Sequence, residues 1–325
     1  MSDELLTVRG AQVVFPAQRG GGPIRAVDGV DLDVRRGEVL ALVGESGCGK
    51  TTLIRSIIGL ESLAAGTVTV DGQVVGRDAA GLRRLRRSVQ MIFQDPTGAL
   101  NPRHTIYEAV AEGLRIHRVA GHEPDLVAEA LADAGLRPPA RYMRRYPHEV
   151  SGGQRQRVLI AAAMALHPTL LLADEPVASL DASIRGEILA LMRRYVDERG
   201  VSIVAVTHDL GLAWNIADRV AVMYLGRIVE QGPTDQVLAD PQHPYTRALL
   251  SVVPEHGGGG ERQILTGETP DPANVPAGCR FHPRCPVVAS GEAARLGIEA
   301  RCRGDDVVAV DIAPGRRVAC HAVAG

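Results

Sequence analysis

Gly44, Gly49, Lys50 and Thr51 stand at the spacing G-x-x-x-x-G-K-[ST], inside the stretch VLALVGESGCGKTTLIRSIIGL of residues 39–60. Each residue type has a task in holding a phosphate chain. Glycine, lacking Cβ, lets successive backbone N–H groups turn inward around phosphate oxygens, and a helix opening at Lys50 adds its unpaired N–H groups and positive dipole end. Lys50 then reaches the β- and γ-phosphates, and the Thr51 hydroxyl ligates Mg²⁺. The alternative is a glycine-rich turn with an ordinary surface lysine. Four defined positions arise by chance in a chain this long roughly once in a hundred sequences, and the strand pattern before and helix pattern after lower that further.

A second glycine turn, Ser151-Gly152-Gly153-Gln154, precedes an apolar run to Leu166. Serine is a favoured N-cap, and two glycines at a helix start leave N–H groups pointing outward, a second place for an anion. Leu170 to Ala173 then delivers Asp174 and Glu175. A buried strand with paired acids at its C-terminal edge is where an open α/β sheet places chemistry. Asp174 is expected to hold the Mg²⁺ shell, mostly through water, and Glu175 to face the water that attacks the γ-phosphorus. His208, at the tip of the β-branched run 201–206, reads as a γ-phosphate contact, although a histidine at a strand tip is by itself more often structural. Phe15, one of three phenylalanines, is placed either to stack on a purine or to fill the core.

The elements that must position these groups follow from periodicity. Residues 5–15 and 26–36 alternate as strands around a loop at Gly20–Pro23, and GTVTVDGQVV (66–75) reads as a hairpin turning at Asp71-Gly72. Val89–Phe93 is an apolar strand. Helical patterns then run from Thr105 to His117 and from Glu123 to Ala134, so a helical insert interrupts the strands. Ser183–Glu198 is amphipathic, Val201–Val206 is a strand, and strands near 219–225 and 227–231 precede short helices near 234–239 and 244–252.

At 325 residues the chain is long for one core, so a large domain plus a smaller one is expected. The formal net charge of -2 carries no electrostatic footprint for nucleic acid, and the cluster Arg83, Arg84, Arg86 and Arg87 reads as a solvated helix face. The longest apolar run, Val158–Leu166, is far short of the ~18 residues of a membrane span. MSDELLTV opens acidic, so no secretory signal is expected and thiols are expected to be reduced.

The order GESGCGKTT, FQDP, SGGQRQR, LLLADEP, SLD and VTHD resembles the ATP-binding cassette (ABC) ATPases across residues 5–254. The resemblance implies an α/β P-loop NTPase (RecA-like) core with an antiparallel β subdomain and a helical signature subdomain at about 95–166, together occupying residues 1–256. It assigns Gly44, Glu45, Ser46, Gly47, Cys48, Gly49, Lys50, Thr51 and Thr52 to the phosphate loop. Phe15 becomes the adenine-stacking residue and Gln94 the Q-loop residue that senses Mg²⁺ and the attacking water and couples to a membrane partner. Ser151, Gly152, Gly153 and Gln154 form the signature loop, Asp174 joins Thr51 and Gln94 at Mg²⁺, and Glu175 is the catalytic base. Ser179 to Asp181 form the D-loop, and His208 is the switch histidine acting with Glu175 and Lys50. In this family the signature loop of one subunit completes the site of the other, which implies a second cassette, identical or paralogous.

FQDPTGALNPR, YPHEVSGGQRQR, DEPVASLD and HPYTRALLSVVP narrow the resemblance to ATP-binding subunits of oligopeptide/dipeptide importers, a group shared with nickel and some sugar-oligomer systems. The implied function is ATP hydrolysis that powers peptide uptake at the cytoplasmic face of the membrane. The implied partners are two integral-membrane permease subunits and an extracytoplasmic substrate-binding protein, with no nucleic acid. Departures are small: Val150 where leucine is usual, Thr51 for serine, and Ala162 for arginine. A soluble cassette acting on DNA or ribosomes is the alternative, but no long coiled-coil insert or tandem cassette is visible.

Gly257–Gly260 reads as a linker, and 257–325 as a small irregular extension holding Cys279, Cys285, Cys302 and Cys320. Four cysteines suit Zn²⁺, with His282 or His321 as substitutes, or an iron–sulfur cluster, yet their spacings of five, sixteen and seventeen residues are not those of a zinc ribbon. Related peptide-importer subunits hold a [4Fe-4S] cluster in a similar tail, so the resemblance implies one here beside ATP and Mg²⁺. Packed free thiols and a redox sensor are the other readings.

Overall fold

A computed structural model describes residues 3–16, 22–178, 180–251 and 267–323. The expected linker at Gly257–Gly260, the expected loop residues Gly20 and Gly21 and the D-loop residue Ser179 lie outside the described residues. Strands are β1 (Glu4–Phe15), β2 (Ile24–Arg35), β3 (Val39–Val43), β4 (Ala65–Val70), β5 (Gln73–Val74), β6 (Val89–Ile92), β7 (Leu170–Asp174), β8 (Ser202–Thr207), β9 (Arg219–Tyr224), β10 (Arg227–Pro233), β11 (Val310–Ala313) and β12 (Arg316–Val318). The chain falls into two compact units. One comprises Met1–Leu5, Val34–Val39 and Val70–Val206, the other Leu6–Asp33, Leu40–Thr69 and Thr207–Gly325.

In the first unit β6, β7 and β8 are parallel, with Ile92 opposite Ala173 and Asp174 opposite Val206. Every residue of β7 and β8 is buried, which is why both read as unbroken apolar runs rather than as alternation. The helical insert lies in this unit. Thr105 caps Ile106–His117 through a reciprocal pair with Glu108, its side chain accepting from the Glu108 N–H while the Glu108 carboxylate accepts from the Thr105 N–H. That helix and Glu123–Asp133 pack on Gly152–Met164. Ile106, Val110 and Leu114 on the first, Val127 and Leu131 on the second, and Val158 and Ile160 on the third are all buried, at about 1.5–3 kcal/mol for each fully buried side chain. The arginine cluster lies on Ala79–Ser88, with Arg83, Arg84 and Arg87 exposed, as a solvated face requires.

In the second unit β3 runs parallel to β9, with Leu40 opposite Arg219 and Val43 opposite Val222. β9 pairs antiparallel with β10, which shifts register between Ile228 and Glu230. The tail is more regular than composition foretells. Residues 267–323 belong to this same unit, fold short helices at Pro286–Ala289, Glu292–Arg295 and Glu299–Gly304, and add β12 to the edge of β10 with β11 beyond it. Phe281 fills the core against Tyr224 and Tyr245, ring centroids 5.2 and 5.4 Å away, and Tyr224 and Tyr245 are 4.7 Å apart. Such aromatic pairs are worth about 0.5–1.5 kcal/mol each beyond the area they bury. The expected hairpin turn is present, with Asp71 at φ 52 and Gly72 at φ 72.

Candidate nucleotide-binding site

Two groups of residues carry the chemistry, one in each unit. In the second unit the phosphate loop joins β3 to the helix Lys50–Ile57. Glycine is obligatory at two of its positions. A Cβ on Gly44, at φ 152, would lie 2.2 Å from the Met223 carbonyl, and one on Gly49, at φ 107, would lie 2.1 Å from that of Ala26. Any side chain would push the loop off the backbone it packs against. Lys50 is 5% exposed, and its ammonium donates to the carbonyls of Gly44 at 2.7 Å and Glu45 at 2.8 Å. The charge therefore stays beneath the loop amides, where phosphate oxygens compete for the same donors. Burial pushes the Cys48 thiol up despite the opposing pull of Lys50, so it is neutral packing rather than a nucleophile. Thr51 and Thr52 follow on the first helical turn, half-buried, and Ser46 and Gly47 are exposed at the loop crest.

Glu45 is held by the tail. Its carboxylate accepts from Arg284 at 2.8 and 3.1 Å and from the Thr269 hydroxyl at 2.8 Å, while its backbone N–H donates to the Tyr245 hydroxyl at 2.9 Å. Burial alone would raise its pKa; the hydrogen bonds and the charges of Arg284 and Lys50 outweigh that and lower it. None of these partners was readable in the sequence, since Arg284 lies 239 residues from Glu45 and no local pattern marks it. His208 follows β8 and is exposed, and the next residue, Asp209, caps Leu210–Ile216 by accepting from the N–H groups of Gly211 and Leu212. Phe15 is half-buried at the end of β1 and is not a core residue.

In the first unit β7 ends on Asp174, which is 1% exposed, and Glu175 follows at φ 45. A non-glycine residue in left-handed backbone costs roughly 1–3 kcal/mol and marks sites where geometry serves chemistry. The Glu175 N–H donates to Val206 at 3.0 Å, and its carboxylate accepts from the exposed Gln94 amide at 3.3 Å. Ser151 caps Gly152–Met164 in a closed reciprocal pair, its hydroxyl accepting from the Gln154 N–H at 3.3 Å and its N–H donating to Gln154 Oε1 at 3.1 Å. The turn is exposed at Ser151, and a Cβ on Gly153 would meet Ile184 at 2.7 Å. Asp181 is exposed at the N-cap of Ala182–Arg199. The chain thus offers a phosphate cradle with a lysine, a buried carboxylate suited to a hydrated Mg²⁺, and a second carboxylate oriented by an amide. That donor set is the one nucleoside-triphosphate hydrolysis with Mg²⁺ requires.

A family model described as ABC transporter matches residues 27–178, and one described as oligopeptide/dipeptide transporter, C-terminal region, matches residues 229–291. A probable peptide ABC transporter ATP-binding protein of Sinorhizobium fredii is 41% identical, over 99% of this chain and 90% of its own length. An oligopeptide transport ATP-binding protein of Bacillus subtilis is 40% identical, over 98% of this chain and 97% of its own. The chain belongs to the ABC transporter ATP-binding proteins. Among solved structures, an ABC transporter component from Clostridium perfringens is similar at TM-score 0.65 and 29% identity, covering 74% of this chain and 92% of that one. An ATP-binding cassette solved as a dimer bound to ADP and phosphate is similar at TM-score 0.64 and 28% identity, over 70% of this chain and 98% of that one. Membership makes the chain an ATPase that uses ATP and Mg²⁺, couples hydrolysis to transport, and works as a paired cassette on membrane permeases. Among the described residues no helix is long and apolar enough to cross a membrane.

The tail of this ABC protein departs from the metal expectation. Cys279, Cys285, Cys302 and Cys320 do line one cavity, of about 20 Å³, walled also by Phe281, Val287 and Ile298. That volume is about one water molecule's worth, and among the described residues no three His, Cys, Asp or Glu side chains gather as a metal-holding group. Burial raises the pKa of all four thiols, that of Cys279 to about 12. His282 and His321 bond the carbonyls of Cys279 and Asp305 through one ring nitrogen each, at 3.0 Å.

Proposed function

We propose that this chain is the ATP-hydrolysing subunit of a di- or oligopeptide importer. The observation that supports the cargo class is the pairing of the cassette with a C-terminal region whose family is described as oligopeptide/dipeptide transporter, in relatives named for peptide transport. The reaction draws on both groups of residues. Lys50 and the loop amides take the phosphate charge, Phe15 stacks on the adenine, and Asp174, Thr51 and Gln94 would hold Mg²⁺, which would neutralise charge on the phosphate chain. Glu175, oriented by Gln94, takes the proton of the water that attacks in line, and His208 supports the charge that develops on the phosphoryl group. Ser151, Gly152, Gly153, Gln154 and Asp181 serve the site of the second cassette, whose own turn serves this one.

Closure of the pair moves two integral-membrane permease subunits, with cargo delivered by an extracytoplasmic binding protein. The chain itself sits at the cytoplasmic face and has no nucleic-acid partner. The test is purification from native membranes followed by identification of the co-eluting proteins, together with uptake of labelled dipeptide by cells lacking the chain. Co-elution of a permease and lost uptake support the reading; a nickel- or sugar-uptake defect with normal dipeptide uptake replaces the cargo. Convergence of the four thiols on one cavity is the single observation in favour of a [4Fe-4S] cluster in the loaded tail. Iron and acid-labile sulfide in the anaerobically purified protein decide that point without touching the ATPase reading.

A further inference from the structure

The contact between Glu45 and Arg284 joins the first residue after Gly44 of the phosphate loop to the short turn His282–Arg284 of the tail. Arg284 is 7% exposed as a side chain and Glu45 25%, so the pair is largely removed from water. The guanidinium grips both carboxylate oxygens, Thr269 adds a third hydrogen bond, and the Tyr224 ring lies 6.0 Å from the guanidinium carbon. Tyr245, itself buried, takes the Glu45 N–H. Glu45 is thereby fixed at both side chain and main chain. On its far side its carbonyl, with that of Gly44, receives the Lys50 ammonium. A rotation of the Glu45 peptide would carry that carbonyl, and with it Lys50, out of place. A residue that only fastened the tail would not need to grip the loop at the peptide that seats the lysine.

We infer that Arg284 is a positioning residue for the ATPase reaction, acting through Glu45 to hold the phosphate-binding loop and Lys50 in the shape that accepts Mg·ATP. The tail is then part of the nucleotide site rather than an appendage to it. The inference rests on the nucleotide site proposed above and adds to it a residue 239 positions away from the loop.

The experiment measures equilibrium Mg·ATP binding and steady-state ATPase of the full chain, with thermal unfolding recorded in parallel. Arg284→Ala and Glu45→Ala are each expected to weaken binding about tenfold, or ~1.4 kcal/mol. In Arg284→Ala turnover at saturating ATP should fall less than affinity does, so that the larger loss lies in KM. The double variant should be no weaker than either single one, because both remove the same contact. Arg284→Lys, which keeps the charge but not the two-pronged grip, should recover part of the affinity. Thr269→Val should lose a smaller part in the same direction. A fall in melting temperature with wild-type affinity in folded Arg284→Ala overturns the inference, as does a hundredfold loss in the double variant. If Arg284→Ala does not fold, Glu45→Gln decides alone, and unchanged affinity there is equally fatal. Failure of the wild-type chain to bind Mg·ATP would instead remove the nucleotide site itself.

Discussion

The two glycine turns of this chain solve one problem in opposite ways. Both open a helix and leave N–H groups for an anion. The loop at residues 44–49 draws its support from afar, from Tyr245, Thr269 and Arg284, and keeps Lys50 buried. The turn at 151–154 satisfies itself through the Ser151–Gln154 pair and stays exposed at its serine. A loop that must grip a charged ligand alone needs a rigid frame and a desolvated cation, whereas a turn that completes another molecule's site needs a stable cap and open access. The proposed pairing of cassettes uses the turns in that way.

Variants that separate binding from completion sharpen this contrast. Lys50→Ala should weaken Mg·ATP binding about a hundredfold, the worth of one or two charge-assisted hydrogen bonds, as read by calorimetry. Gly44→Ala should do at least as much harm, because its Cβ would lie 2.2 Å from the Met223 carbonyl; near-normal binding would mean that the cradle is softer than it looks. Ser151→Ala removes an N-cap worth about 1 kcal/mol. It should leave binding by the chain's own loop unchanged while lowering steady-state ATPase several-fold. Equal loss of binding in Ser151→Ala and Lys50→Ala would erase the distinction.

The legibility of these regions differs for the same physical reason. The loop residues, the SGGQ turn and the strand delivering Asp174 and Glu175 could be read directly, because local spacing dictates a backbone shape and buried parallel strands are apolar throughout. The caps Thr105 and Ser151 and the turn at Asp71-Gly72 are equally local. The frame around Glu45 was invisible because it is tertiary: a tyrosine, a threonine and an arginine separated from Glu45 by 200 to 239 residues. The tail's short helices and edge strands hid behind Gly- and Pro-rich composition. Spacing of the four cysteines could not say that they would line one small cavity.

A smaller effect probes the frame by pH. Burial drives the His243 pKa down to about 3 from 6.5, with the Arg247 charge adding to it, and its Nδ1 accepts from the Tyr245 N–H at 3.0 Å. The neutral ring is the folded form. Since the unfolded chain binds the extra proton below 6.5, stability should fall as pH drops from there toward 3, by at most ~1.4 kcal/mol per pH unit. Denaturant titrations of wild type and His243→Asn over that range should converge as pH falls. A constant difference would place no titration at His243.

The most direct test of the account is Glu175→Gln, with Mg·ATP binding and phosphate release measured on the same preparation. The expected result is wild-type binding with turnover lowered by about 10² to 10⁴, the typical worth of a general base. Hydrolysis near the wild-type rate, or loss of binding comparable to that of Lys50→Ala, would contradict it.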